Sequence, residues 1–179
     1  MTDIVYLHGK LGSPQSDKVT RLRLEGYDVV APDLQELGLA ERIIEAMRVI
    51  ERVRPYLVIG SSLGGLTALC AMELLDKLGA VRHGNLLLLA PAVVAPYITS
   101  HPASVLHLSP PRGRVEILHE TSDEVIDCHA VKKFAEARDM PFTSTLDGHR
   151  LAKSYDLIAS MTASLIGFDV KTRNLRGEP

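Results

Sequence analysis

Short apolar runs alternate with longer stretches of helical periodicity, and that rhythm constrains the fold more than any other feature of the chain. The runs cover residues 4–7, 27–31, 56–59, 85–89, 115–119 and 142–146. Several of them, such as Ile4-Val5-Tyr6-Leu7 and Leu86-Leu87-Leu88-Leu89, are apolar on both faces. A strand of that kind has to be covered on both sides. The pattern therefore predicts about six mainly parallel strands between two layers of helices, a three-layer α/β sandwich.

The helical stretches carry their own punctuation. Ser13-Pro14 reads as an N-cap followed by proline at the first helical position, opening a helix to residue 24 that Gly26 ends. Residues 39–54 are the clearest case. Leu39, Ile43, Met47, Ile50 and Val53 share one face, Glu41, Glu45, Arg48, Glu51 and Arg52 point elsewhere, and Pro55 stops the helix. A third helix is expected over 63–77 with Gly79 beyond it. A fourth covers 128–138, with Asp127 as N-cap and Ile126 and Val131 as a hydrophobic staple. The last is expected over 151–166, before a polar tail that frays.

Residues 90–114 break the rhythm. They hold no helical pattern and contain five of the chain's 10 prolines, Pro91, Pro96, Pro102, Pro110 and Pro111. Long irregular connections in compact domains tend to carry function.

Composition excludes several classes. A chain of 179 residues suits one domain, here 1–168 with a polar tail over 169–179. Lys+Arg of 20 against Asp+Glu of 22 leaves no basic excess for nucleic acid. The longest apolar run, 86–95, is broken by Pro91 and is too short to span a membrane. No basic leader precedes residue 4. Cys70 and Cys128, in no metal-type spacing, suit free thiols in a reducing compartment. A cytoplasmic protein is expected. Neither a G-x-G-x-x-G nor a Walker pattern is present, so no nucleotide cofactor is expected. His101, His107, His119 and His129 lack ligand spacing, so no metal site is expected.

The chemistry concentrates at Gly60-Ser61-Ser62-Leu63-Gly64, a G-x-S-x-G set between an apolar strand and an apolar helix. A serine nucleophile needs that strand–turn–helix context to stand exposed on a strained turn, and only Ser62 has glycine two residues away on both sides. A serine hydroxyl is a weak nucleophile and needs a base. In this arrangement the partners follow in the order Ser, acid, His. His8 precedes Ser62, His83 lies in a helix-to-strand loop, His101 and His107 lie in the irregular connection, His119 directly precedes the acidic turn, and His129 opens a helix. His149 remains, in a loop just after the sixth strand. The acid is expected in the turn after the fifth strand, with Asp123 first and Glu124 second. Asp127 suits the helix cap, and Asp147 is too near His149 in sequence to reach the far side of its ring. The backbone N–H groups of Leu63 and of Lys10, with Leu11 as the alternative to Lys10, are the candidate oxyanion donors. His8 is expected to support that loop by a hydrogen bond to its backbone.

Taken together, Tyr6-Leu7-His8-Gly9 with Ser13, Pro14 and Ser16, Gly60 to Gly65, the strand ending in Ala90-Pro91, Thr121 to Asp127 and Gly148-His149 resemble the α/β-hydrolase superfamily, and more closely the small YqiA-type bacterial esterases. The resemblance spans residues 4–166. It implies a compact hydrolase fold without a lid domain, ester hydrolysis through Ser62, His149 and Asp123, and no cofactor. The chain departs from the pattern at Lys10, where such proteins often carry an aromatic or apolar residue, and opens at what the larger fold counts as its third strand. The expected substrate is a small acyl ester. A thioesterase or small-peptide hydrolase with the same groups, or a non-catalytic binding protein on the same scaffold, are the alternatives.

Overall fold

Six strands form one sheet: β1 (Ile4–Leu7), β2 (Val29–Val30), β3 (Leu57–Ser61), β4 (Asn85–Leu89), β5 (Val115–Glu120) and β6 (Phe142–Thr145). Five helices join them: α1 (Asp17–Leu24), α2 (Leu39–Val53), α3 (Leu63–Lys77), α4 (Cys128–Glu136) and α5 (Tyr155–Arg176). The computed structural model describes residues 2–79, 84–94, 97–98 and 107–176. The spatial order is β2-β1-β3-β4-β5-β6, and every neighbouring pair is parallel.

Strand alternation explains the continuous apolar runs. Val5, Leu7, Val58, Leu86, Leu88 and Ile117 pack into one layer with α2, α3 and α4. Ile4, Tyr6, Leu57, Ile59, Leu87, Leu89 and Leu118 point to the other, against Val19 and Leu22 of α1 and Ile158, Met161 and Leu165 of α5. Only the edge strand β6 departs from this, with Thr143 and Ser144 exposed. Among the described residues, the connection between β4 and β5 holds no helix or strand, and no helix is long and apolar enough to cross a membrane.

Several boundaries differ from the expectation, with β2 reduced to Val29–Val30, β3 running to Ser61 and α4 ending at Glu136, and three of the differences have a visible cause. Helix α1 begins at Asp17, with Ser16 and not Ser13 at its N-cap. Ser13 closes a turn instead: its carbonyl accepts from Ser16 N at 3.2 Å and its hydroxyl from Gln15 N at 3.3 Å, so Pro14 serves the turn. Helix α5 begins at Tyr155 because the Asp147 carboxylate gathers Lys153 N at 2.7 Å and Ser154 N at 2.9 Å, holding the preceding residues as a loop. It then continues to Arg176 through the stretch read as a fraying tail. No proline intervenes, and Lys, Arg and Leu favour the helix there.

The start of α4 follows the expectation. Asp127 Oδ1 accepts from Ala130 N at 2.6 Å, while Ile126 and Val131 are both buried in the same core layer. Asp127→Ala is expected to lower stability by about 1 kcal/mol through the lost cap, read as a shift in denaturant midpoint.

Candidate active site

The sheet order reverses between β1 and β3, which both leave the sheet toward the same crevice. Open α/β sheets place ligands at such a point. Here it holds the turn around Ser62.

Ser62 has φ 53° and ψ −118°, a backbone conformation that costs a non-glycine residue about 1–3 kcal/mol. Surrounding bonds hold it there. Ser62 N donates to Leu89 O at 2.8 Å, and Ser62 O accepts from Gly65 N at 2.9 Å and Ala92 N at 3.0 Å. The turn can form only because α3 starts almost on top of β1: a methyl group on Gly64 would stand 2.0 Å from Leu7 O. That close approach pushes the serine side chain out of the strand direction.

His149 reaches it from the loop after β6. His149 Nε2 lies 3.1 Å from Ser62 Oγ, and His149 Nδ1 lies 2.7 Å from Asp123 Oδ2. The Asp123 side chain is fully buried, against 17% exposure for His149. A carboxylate only accepts, so Nδ1 carries the hydrogen and Nε2 presents its lone pair to the serine hydroxyl. The other oxygen, Asp123 Oδ1, accepts from Val125 N at 2.8 Å and Ile126 N at 2.9 Å. Those two bonds fix the carboxylate plane. The loop of His149 is braced on both sides, by Asp147 as above and by Lys18 of α1, whose Nζ donates to Arg150 O.

The loop after β1 closes the other side. A methyl group on Gly9 would stand 3.2 Å from Ser62 Cβ and 3.3 Å from Ser61 O, so this backbone lies tightly against the turn. Among the described residues, the amides of Lys10 and Leu63 both lack a backbone acceptor. Leu63 is at the first position of α3, where no intrahelical acceptor exists. His8 holds the base of this loop. It is 1% exposed, accepts from Leu34 N on Nε2 at 3.0 Å and donates from Nδ1 to Gly9 O at 2.8 Å. Burial pushes its pKa below the ordinary histidine value, partly offset by the Gly9 carbonyl.

Arg42 of α2 was not anticipated. Its guanidinium donates to Leu34 O at 2.7 Å and to His8 O, tying the two loops together from beneath. Burial lowers its pKa to about 10, which leaves it charged. The signal was an arginine inside the stripe that buries Leu39, Ile43, Ala46 and Ile50.

Of the remaining acidic candidates, Glu124 is exposed and Asp127 caps α4. His107 and His129 are exposed, and His83 and His101 lie outside the described residues. His119, set aside in the sequence, is fully buried and stands 3.4 Å from Asp123 Oδ2. Among the described residues, no group of three His, Cys, Asp or Glu side chains is placed to hold a metal ion.

The profile of the alpha/beta hydrolase family matches residues 4–166, and the chain belongs to that family. Solved structures share the fold. A Xanthomonas campestris pv. campestris protein assigned to the α/β hydrolase superfamily superposes with a TM-score of 0.73 at 23% identity, covering 93% of this chain and 99% of that one. An α/β serine hydrolase without lid from Xanthomonas campestris gives 0.69 at 18%, covering 92% and 80%. The thermophilic esterase Est2 of Thermogutta terrifontis gives 0.65 at 17%, covering 93% and 84%. No curated protein sequence matches the chain.

The buried histidines set the acid response of the fold. Burial, the largest cause in both, holds the pKa values of His8 and His119 below the ordinary histidine value of about 6.5. The unfolded chain therefore binds their protons at a higher pH than the folded one. Their contribution is intact above about 6.5 and is lost as pH falls from there through the folded values. Glu73 and Asp147, lowered from 4.5 and 3.8, act only at more acidic pH. Urea midpoints are expected to fall between pH 7.5 and 5.5, and unchanged midpoints over that range would contradict the neutral, buried assignment.

Proposed function

We propose that this hydrolase is a serine carboxylesterase acting on small acyl esters. The observation that carries the reading is the unbroken relay from Asp123 Oδ2 through both ring nitrogens of His149 to Ser62 Oγ, at 2.7 and 3.1 Å. Ser62 Oγ attacks the acyl carbonyl while His149 Nε2 takes its proton. The amides of Leu63 and Lys10 receive the charge that develops on the carbonyl oxygen. His149 then protonates the leaving alcohol, and the acyl group stays on Ser62. Water attacks that acyl-enzyme with His149 as base, which releases the acid and restores the serine. Asp123 holds the imidazole in the tautomer this requires and stabilises the imidazolium between steps.

The β4–β5 connection, residues 90–114, is short for a lid domain and rich in proline. Est2 of Thermogutta terrifontis, solved with butyrate bound, is an esterase on the same fold. Small, soluble esters suit a site without a lid domain. The two unpaired cysteines, Cys70 and Cys128, suit a reducing compartment, and we place the protein in the cytoplasm.

Labelling with a fluorophosphonate probe tests the reading. The wild type is expected to be labelled at Ser62 and Ser62→Ala to be silent. Folded wild type that resists the probe would overturn it. With a chromogenic short-chain ester, kcat/KM is expected to rise with pH as the base loses its proton, and His149→Ala to remove that limb with most of the turnover. Near wild-type turnover in that variant would exclude His149 as the base.

The acid is tested separately. Asp123→Asn is expected to cut kcat by about 10⁴-fold through the wrong imidazole tautomer, while Glu124→Gln leaves it within a few-fold. An active Asp123→Asn enzyme would remove Asp123 from the relay.

A further inference from the structure

The Asp123 carboxylate has a second imidazole behind it. His119, the fifth residue of β5, is fully buried, and its Nε2 stands 3.0 Å from Ile126 O and 3.4 Å from Asp123 Oδ2. The same Oδ2 receives the hydrogen bond from His149 Nδ1. A backbone carbonyl only accepts, so His119 Nε2 carries the hydrogen and the ring is the neutral Nε2–H tautomer. Its Nδ1 is buried without a partner, and the ring stacks on Phe142 of β6 with centroids 6.4 Å apart. A fully buried imidazole that leaves one nitrogen unsatisfied costs stability that leucine would not. Packing therefore does not account for it.

We propose that His119 is a positioning residue that holds Asp123 for the relay to His149. It acts through the turn. Its N–H ties the far end of the acidic turn, at Ile126 O, to the strand, and Ile126 N is one of the two donors that fix Asp123 Oδ1. The turn is thus closed from both sides. The charged or titratable groups around His119 are Asp123 in the turn, His149 from the loop after β6 and Glu120 on its own strand. The two carboxylates favour a proton on His119 and His149 opposes it. Burial is the largest influence and keeps the ring neutral.

This inference rests on the proposed function, and the experiment separates the two. His119→Gln keeps a donor nitrogen at the distance of Nε2, whereas His119→Asn and His119→Leu do not. All three are assayed on a p-nitrophenyl short-chain ester for kcat and KM, beside the rate of fluorophosphonate labelling. The Leu and Asn variants are expected to lose kcat by about tenfold or more with KM unchanged. His119→Gln is expected to stay within about threefold of wild type. Should His119→Leu fail to fold, the Gln and Asn pair decides alone. Labelled wild type with Gln and Asn equally active or equally impaired would overturn the positioning role and leave the esterase reading standing. An unlabelled, inactive wild type would overturn both.

Discussion

The structure depends on the contact between the first turn of α3 and the strand ends of β1 and β3. Gly64 lies so close to Leu7 O that no side chain fits between them. Because the helix starts there, Ser62 is driven into positive φ, and its hydroxyl leaves the line of the strand. The strain is sustained by backbone bonds to Leu89 and Ala92, so three adjacent strands carry one residue. A looser start to the helix would relax the serine and withdraw its hydroxyl from the crevice.

The other groups are delivered by loops, and each loop is held by a polar side chain bonded to its backbone. His8 and Arg42 close the loop after β1. Asp123 folds its own turn through two backbone amides. Asp147 does the same for the loop carrying His149. Buried polar groups are costly unless paired, and once paired they specify a single arrangement. The neutral histidines make that arrangement sensitive to acid, which links the pH range in which the fold is stable to that in which a histidine base is deprotonated.

Much of this was legible in the sequence, for a physical reason. Strands buried on both faces leave continuous apolar runs, so β1 and β4 stand at their expected limits, and the glycines around Ser62 mark where strand and helix meet. The triad geometry follows the chain order of Ser62, Asp123 and His149. Less legible were features decided by contacts distant in sequence. Ser13-Pro14 has the local chemistry of a helix start, but the chain spends it on a turn. Residues 171–176 lack an apolar stripe yet remain helical. Arg42 and His119 owe their roles to partners, Leu34 and the acidic turn, that only the fold brings near. His119 stands four residues before Asp123, a spacing without meaning in a strand and significant only once the chain turns back.

The central claim is that Ser62 carries a covalent acyl group during turnover. The direct measurement is the mass of the Ser62 peptide after brief incubation with p-nitrophenyl acetate and an acid quench. The account predicts one added acetyl group, located on Ser62 and absent when His149 is replaced by alanine. Ester hydrolysis with that peptide unmodified, or with the acetyl group on another residue, would contradict it.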